Sequence, residues 1–421
     1  MTRIPDSVLS AHLEQALPAL YPAPQLDAQY KRYADILANY RAQFGDGPVE
    51  FFSAPGRTEV GGNHTDHNHG RVLAAGINLD AVAAAAKRPG TVIREKSVGH
   101  GLNVVDVASL ELVPQEVGHS GALIRGVCAG FVQRGYRIGA FDASVASDVL
   151  SGSGLSSSAA YEVLLGTILN YLYNDGKVSP VEIAQIAQYA ENVYFGKPCG
   201  LMDQMASSVS GFVTIDFADP AKPVIEKVDF DFAACAHALC IVNTGGSHND
   251  LTDDYAAVRG EMESVAAVFG RSVLRDVAPE DFYAALDQVR SKVSDRALIR
   301  AMHFFAENER VEQEVDALRR GDFEAFKQTV IDSGYSSYMY NQNVYTSKHP
   351  TDQPVSLALA LSAKLLKGRG AWRVHGGGFA GTIQAFVPQA LLETYRTQME
   401  SVFGKGSCMV LQIRAQGGVR V

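Results

Sequence analysis

The spacing of apolar and polar residues divides the chain into helical and extended stretches. Apolar positions recur with helical spacing from Leu26 to Phe44, which predicts an early amphipathic helix, and Val49 to Ser53 reads as a short strand ending at Pro55-Gly56. Gly70 to Ala86 is rich in Val, Ala, Ile and Leu and predicts strand pairing. From Phe141 to Val149 the alternation is strict. Phe141, Ala143, Val145, Ser147 and Val149 share one face and Asp142, Ser144 and Asp148 the other, as in a half-buried strand. A glycine and serine loop follows over Ser151 to Ser158, and then a helix over Ala159 to Tyr173 carried by Val163, Leu164, Ile168, Leu169 and Leu172. A second helix is predicted from Pro180 to Phe195, with Pro198-Cys199-Gly200 as its breaker. Beyond Pro220 the pattern restarts with a strand at Ala238 to Asn243, helices through about Lys327, and strands around Arg373 to Val387 and Cys408 to Gln416. The restart divides the chain into two units, 1–230 and 231–421. Periodicity supports mixed helices and strands and no more specific architecture.

Composition narrows the function classes. With 47% hydrophobic and 20% charged residues over 421 positions, the chain is an ordinary globular protein long enough for a sizeable core. A formal net charge of −9 argues against a nucleic-acid or anionic-membrane surface as the main partner, while leaving room for a local anion site. The cysteines (Cys128, Cys199, Cys235, Cys240, Cys408) form no CxxC pair and read as reduced thiols in a cytoplasmic protein. The Ala81 to Ala86 run is bounded by Asp80 and Lys87-Arg88, far short of the roughly 20 apolar residues of a membrane span.

Four stretches carry candidate chemistry. Pro55 to Gly70, which contains Arg57, Asn63, His64, Asp66, His67 and His69 between turn-forming glycines, places many directed donors and acceptors together, as a polyhydroxylated ligand or a metal needs. Leu150 to Ala160, reading Leu-Ser-Gly-Ser-Gly-Leu-Ser-Ser-Ser-Ala-Ala, has the composition of a flexible linker. Its place between a strand and an apolar helix makes it a phosphate cradle, with backbone amides and a helix N-terminus facing an anion. It lacks the Lys-Ser/Thr of a Walker loop. Glu191 to Met205 sets Asp203 after Pro198-Cys199-Gly200 among Leu201, Met202 and Met205. An acid there can take a hydroxyl proton if a cation holds it ionised, or can simply cap a helix. Arg373 to Thr382 holds a glycine turn within strand-like sequence.

Taken in order, Gly-Arg…Gly-x-His-Thr-Asp, Gly-Leu-Ser-Ser-Ser-Ala, Pro-Cys-Gly-x-Met-Asp-Gln and Gly-Gly-Gly-Phe-x-Gly resemble the GHMP small-molecule kinases, and within them the galactokinase branch most closely. The motifs span Pro55 to Pro388, most of the chain. The resemblance implies an α+β, two-domain GHMP kinase fold with the active site in the interdomain cleft. It implies transfer of phosphate from ATP to the C1 hydroxyl of a sugar, with sugar, ATP and Mg2+ as partners and a monomer as the expected state. By the same resemblance Asp203 is the catalytic acid residue and Arg57 the cation that keeps it ionised. Gly152, Ser153, Gly154, Leu155, Ser156, Ser157 and Ser158 wrap the ATP phosphates, with Ser158 and Glu191 holding magnesium. Asn63, His64, Asp66, Gly200 and Tyr255 bind the sugar, the last matched through Asn243-Thr244…His248…Tyr255-Ala-Ala-Val-Arg259.

The first motif departs from the family. Galactokinases usually read Gly-Arg-Val-Asn-Leu-Ile-Gly-Glu-His-Thr-Asp-Tyr, whereas this chain has Thr58-Glu59-Val60-Gly61-Gly62-Asn63-His64-Thr65-Asp66-His67 after Arg57. The acid replaced by Asn63 contacts the C6 end of the sugar in the family, so a neutral amide there opens galacturonate as an alternative to galactose. Ala380 replaces a usual glycine in the last motif. More remote alternatives are a metal-dependent hydrolase built on the His-rich loop and a non-catalytic sugar sensor.

Overall fold

The computed structural model describes residues 7–149, 154–246 and 251–421, with side chains from residue 12 onward. The larger sheet comprises β1 (Glu50–Gly61), β2 (Arg71–Lys87), β3 (Val92–Ser97), β4 (Leu102–Asp106), β5 (Phe141–Ser147), β6 (Phe212–Asp216) and β7 (Val224–Val228). A smaller sheet follows from β8 (His237–Asn243), β9 (Ala371–His375), β10 (Thr382–Pro388) and β11 (Cys408–Leu411), before β12 (Val419–Arg420) returns to the large one. The large sheet has the order β12-β1-β2-β5-β3-β4, with β6 and β7 branching from β2, and the small one the order β11-β8-β10-β9. β3 and β5 pair in parallel and the other pairs are antiparallel.

The large sheet is covered on both sides. Helices α1 (Ser7–Ala16) and α2 (Leu26–Phe44) pack against Phe51, Val82 and Ala84. The opposite face, with Phe52, Ala81, Ala83 and Ala85, receives α3 (Ser120–Gln133), α4 (Ser157–Asn174) and α5 (Pro180–Tyr189), while α6 (Met202–Val209) lies against the β6 end of β2. The alanine run in β2 is thus a strand buried on both faces, which is why it reads as continuously apolar. Helices α7 (Thr252–Val268), α8 (Pro279–Ala284), α9 (Leu286–Arg290), α10 (Asp295–Arg319), α11 (Phe323–Ser336), α12 (Pro354–Leu366) and α13 (Leu392–Phe403) accompany the small sheet. One apolar core runs through both halves, joining Val163 and Leu164 to Leu239, Ile241, Phe326 and Phe386.

Three expectations change. β5 is buried on both faces over Phe141 to Val145, because α2 covers the side expected to face water. Asp142 is tolerated there since Arg94 grips both its oxygens at 2.7 Å. The predicted helix at Pro180 ends at Tyr189, and a single wider turn of π type, Ala190–Phe195, carries Glu191. β1 does not stop before Pro55. A register shift between Pro55 and Arg57 absorbs the proline, and the strand runs on to Gly61. Arg57 therefore sits on a strand of the large sheet, where a loop was expected.

Candidate active site

Arg57 is the centre of the site. Its Nε donates to Asp203 Oδ1 at 2.7 Å, its Nη1 donates to the Gly154 carbonyl, and its backbone N–H donates to Leu155 O at 3.1 Å. The strand thereby holds the glycine loop by side chain and backbone together. The loop comes close enough only because residue 56 lacks a side chain, since a Cβ on Gly56 would lie 2.9 Å from Leu155 O. Gly154 and Ser156 both take positive φ, turning the chain sharply into α4. The first turn of α4 holds Ser157 and Ser158 and no acidic residue, so its exposed N–H groups and dipole favour an anion. Gly152 and Ser153, expected in the same cradle, lie outside the described residues, as does His248.

Asp203 occupies the first turn of α6, with its side chain 32% exposed. Burial raises its carboxyl, but the charge and hydrogen bond of Arg57, the Ser156 hydroxyl on Oδ2 and Lys197 outweigh that and hold it below the ordinary carboxylate range. Arg57 is 7% exposed, and Asp203 more than offsets the effect of burial on its charge. The pair is thus ionised on both sides. Asp66 reaches the same region: a Cβ added to Gly200 would lie 2.9 Å from its Oδ2, so the missing side chain at 200 makes room for this carboxylate. Burial pushes the Asp66 carboxyl up, and the nearby Asp203 adds to the effect.

The histidines of the first motif form a relay. Asn68 Nδ2 donates to His67 Nδ1 at 3.0 Å, His67 Nε2 donates to His64 Nδ1 at 3.3 Å, and His64 Nε2 donates to Gly377 O at 2.9 Å. The Gly377 carbonyl can only accept, and Asn68 Oδ1 accepts from Leu274 N at 3.0 Å, which leaves Nδ2 as the donor; these two ends fix the direction of the chain. Burial lowers His64 to about 4 and His67 well below its usual value. These nitrogens are committed to one another. Among the described residues, no group of three His, Cys, Asp or Glu side chains is arranged to hold a metal.

Asn63 departs from its expected place among the sugar ligands. It is fully buried, with Nδ2 donating to Glu59 Oε1 at 2.9 Å and to Gly376 O at 2.7 Å, and Oδ1 accepting from Asn343 Nδ2 at 2.9 Å and Ser337 Oγ at 3.2 Å. Both donors and both acceptor positions are satisfied, so no hydrogen-bonding capacity is left for a ligand. Glu59 in turn accepts from Arg373 Nη2 at 2.7 Å. Tyr255 donates its hydroxyl to Gly378 O at 3.0 Å and stacks edge-on against Phe379, beside the same glycine turn.

Glu191 is 2% exposed, with Oε1 3.0 Å from Lys197 Nζ and Oε2 accepting from Gln204 Nε2 at 2.8 Å. The same Gln204 amide donates to Glu162 Oε2 at 3.1 Å. Oε1 of Glu162 and Oε1 of Gln204 have no hydrogen-bond partner among the described residues. Neither Glu162 nor Glu307 stands in a motif that marks it in the sequence. Glu307, on α10, accepts the backbone N–H groups of Gly62 and Asn63 at 3.3 and 3.2 Å and so anchors the first motif from more than two hundred residues away.

Comparison with known proteins identifies the family. The GHMP kinases N terminal domain matches residues 122–211, and the galactokinase galactose-binding signature matches residues 38–87. A galactokinase of Streptomyces coelicolor is 32% identical over 364 residues, covering 86% of this chain and 91% of that one. The structure of Lactococcus lactis galactokinase complexed with galactose shares the fold with a TM-score of 0.77, at 24% identity over 92% of this chain and all of that one. The mevalonate kinase of Methanococcus jannaschii follows at a TM-score of 0.63 and 12% identity, covering 87% of this chain and 99% of that one. The motifs that flank Arg57 and Asp203, the two-domain α+β fold and this shared sequence together make the chain a member of the galactokinase family of GHMP kinases.

Proposed function

We propose that the chain is an ATP-dependent galactose 1-kinase, converting D-galactose and ATP to galactose 1-phosphate and ADP. The observation that carries the reading is the Arg57–Asp203 pair, set between the phosphate-loop carbonyls on one side and Asp66 with Gly200 on the other. Asp203, kept ionised by Arg57, orients the C1 hydroxyl and accepts its proton as the oxygen attacks the γ-phosphorus. A sugar hydroxyl is a weak nucleophile, so alignment and charge stabilisation supply most of the catalysis. Arg57 and the N-terminus of α4 stabilise charge on the transferring group. Asp66 holds sugar hydroxyls together with Tyr255 at the glycine turn, while His64, whose two ring nitrogens are committed to His67 and the Gly377 carbonyl, supports the loop that carries Asp66. Ser158 and Glu191 would hold Mg2+, an assignment that fits their oxygen donors and the orphaned oxygens of Glu162 and Gln204, which Gln204 links to Glu191. When bound there, the ion would supply charge neutralisation for the ATP phosphates.

The galacturonate alternative came from a neutral amide standing where the family has an acid, and that amide's donors and acceptor are committed within the protein, which favours galactose. A division at 1–230 and 231–421, a monomeric state and a cytoplasmic location complete the proposal; no described helix is long and apolar enough to cross a membrane. The deciding experiment is a coupled ADP assay with Mg-ATP and galactose, galacturonate or N-acetylgalactosamine, with the product's position read by 31P NMR. Turnover on galactose giving the 1-phosphate is expected, and turnover on galacturonate alone would overturn the choice of sugar.

A further inference from the structure

His375, at the end of β9, is 2% exposed, and none of the roles described so far uses it. Its Nε2 lies 3.1 Å from Thr58 Oγ1 and its Nδ1 3.0 Å from Oγ1 of Thr382, its cross-strand partner on β10. The proton positions follow from the neighbours. Gln384 Nε2 donates to Glu59 O at 2.9 Å, and because a carbonyl only accepts, this end of the amide is the NH2. The same group donates to Thr58 Oγ1 at 2.6 Å. Thr58 is fully buried, so its own proton goes to His375 Nε2; were Nε2 protonated, that hydroxyl proton would be left without a partner. Nδ1 then carries the ring proton and donates to Thr382. Burial, followed by the charges of Arg57 and Arg373, keeps the ring neutral. The result is a directed chain, Gln384 to Thr58 to His375 to Thr382.

This chain ends against the glycine loop. A Cβ on Gly154 would lie 3.2 Å from His375 Nδ1 and 3.3 Å from Thr382 Oγ1, so both side chains form the wall behind the residue whose carbonyl Arg57 grips. Thr58 is Arg57's neighbour on β1. We infer that His375 is a positioning residue for phosphoryl transfer, fixing the Arg57 segment and the Gly154 turn in one register by accepting from Thr58 and donating to Thr382. The inference rests on the kinase reading above, in which the Gly154 turn faces ATP.

Two substitutions separate the arms of the relay. In His375→Gln the amide oxygen reaches the place of Nε2 and accepts from Thr58, whereas His375→Ala removes both bonds. The affinity of the non-hydrolysable ATP analogue AMP-PNP with Mg2+ is read by titration calorimetry on each protein, and kcat and the two KM values are read with galactose. For His375→Ala the analogue should bind at least about ten-fold more weakly and kcat should fall by a similar factor, with galactose KM within about two-fold of the wild type, as expected for a misplaced reacting group. His375→Gln should recover most of both losses at the same melting temperature as His375→Ala. Unchanged analogue affinity in His375→Ala, equal losses for analogue and sugar, or no recovery in His375→Gln would each overturn the inference. If the wild type phosphorylates no sugar, the functional reading fails by itself, and the analogue affinities still decide the role of His375.

Discussion

The guanidinium of Arg57 and the carboxylate of Asp203 meet at 2.7 Å although 146 residues separate them, one on a strand bulge and the other in the first turn of a helix. The cation is itself held by the carbonyl of Gly154, so the charge that ionises Asp203 is fixed against the glycine turn before α4. Asp203→Asn keeps the shape of the side chain and removes its charge and its capacity to take a proton. We expect kcat with galactose to drop by at least about 10² to 10³, the range found when one group stabilising a transition state is lost, while ATP affinity stays near that of the wild type. Steady-state kinetics with circular dichroism as the folding control checks this. A variant with full turnover would show that Asp203 takes no part in proton transfer.

Gly200→Ala probes the sugar side alone. The new Cβ would stand 2.9 Å from Asp66 Oδ2, closer than carbon and oxygen pack, so the carboxylate must rotate away. Galactose KM should rise by about ten-fold, a displacement of one ligand by a fraction of an ångström, with ATP KM altered less than about two-fold. Equal changes in both constants would place Asp66 outside the sugar site.

Much of this site was legible in the residues, for a physical reason. The motif around Arg57, the glycine loop and the Pro-Cys-Gly-x-Met-Asp segment are each built from local turn chemistry, which short sequence patterns record. Helix α2 is also found over Leu26–Phe44, where its period placed it. What sequence could not show is what covers a strand's second face, so β5 read as half-buried. Nor could it show which polar residues satisfy one another. Asn63 looked like a ligand because its motif position suggests one, yet Glu59, Ser337, Asn343 and Gly376 occupy its amide, two of them from near residue 340. Glu307 and His375 were silent for the same reason: their roles exist only once α10 and β9 lie beside β1.

Two buried neutral histidines give stability a definite pH dependence. Burial lowers both His303 and His64 from an ordinary value of 6.5 to about 4, and His303 is fully enclosed, bonded to Ser336 and to the Asn63 carbonyl. The unfolded chain therefore binds more protons than the folded one between these two values, and stability is lost as pH falls from about 6.5 toward 4. Melting temperature should decline over that interval in the wild type. His303→Gln keeps a donor and an acceptor without the titration, and its melting curve should decline less steeply across the same interval. Parallel curves for the two proteins would mean that His303 is protonated equally in both states.

Glu307 supplies the last test, because on the proposed reading it would join folding to sugar recognition. Its Oε1 accepts from Gly62 N, Asn63 N and Ser333 Oγ, while Oε2 accepts from Arg310 Nε at 2.7 Å. Burial works against the charge, but Arg310 and the neighbouring groups hold the carboxyl down at about 2, so it is ionised throughout the working range. Removing one partner of a buried ion pair costs about 3 to 5 kcal/mol, because the other charge is left uncompensated. Glu307→Ala should accordingly lose much of its stability, and two amides of the sugar loop would lose their acceptor. Glu307→Gln separates the contributions: its amide oxygen still accepts from Gly62 and Asn63, while the charge opposite Arg310 is gone. Melting temperature should fall in both variants, but galactose KM should rise several-fold only in Glu307→Ala, since only there is the loop carrying His64 and Asp66 released. The two KM values, measured below the melting range of each variant, decide it. If Glu307→Gln raises galactose KM as far as Glu307→Ala does, charge at residue 307 sets the sugar site, and the hydrogen bonds to the loop do not.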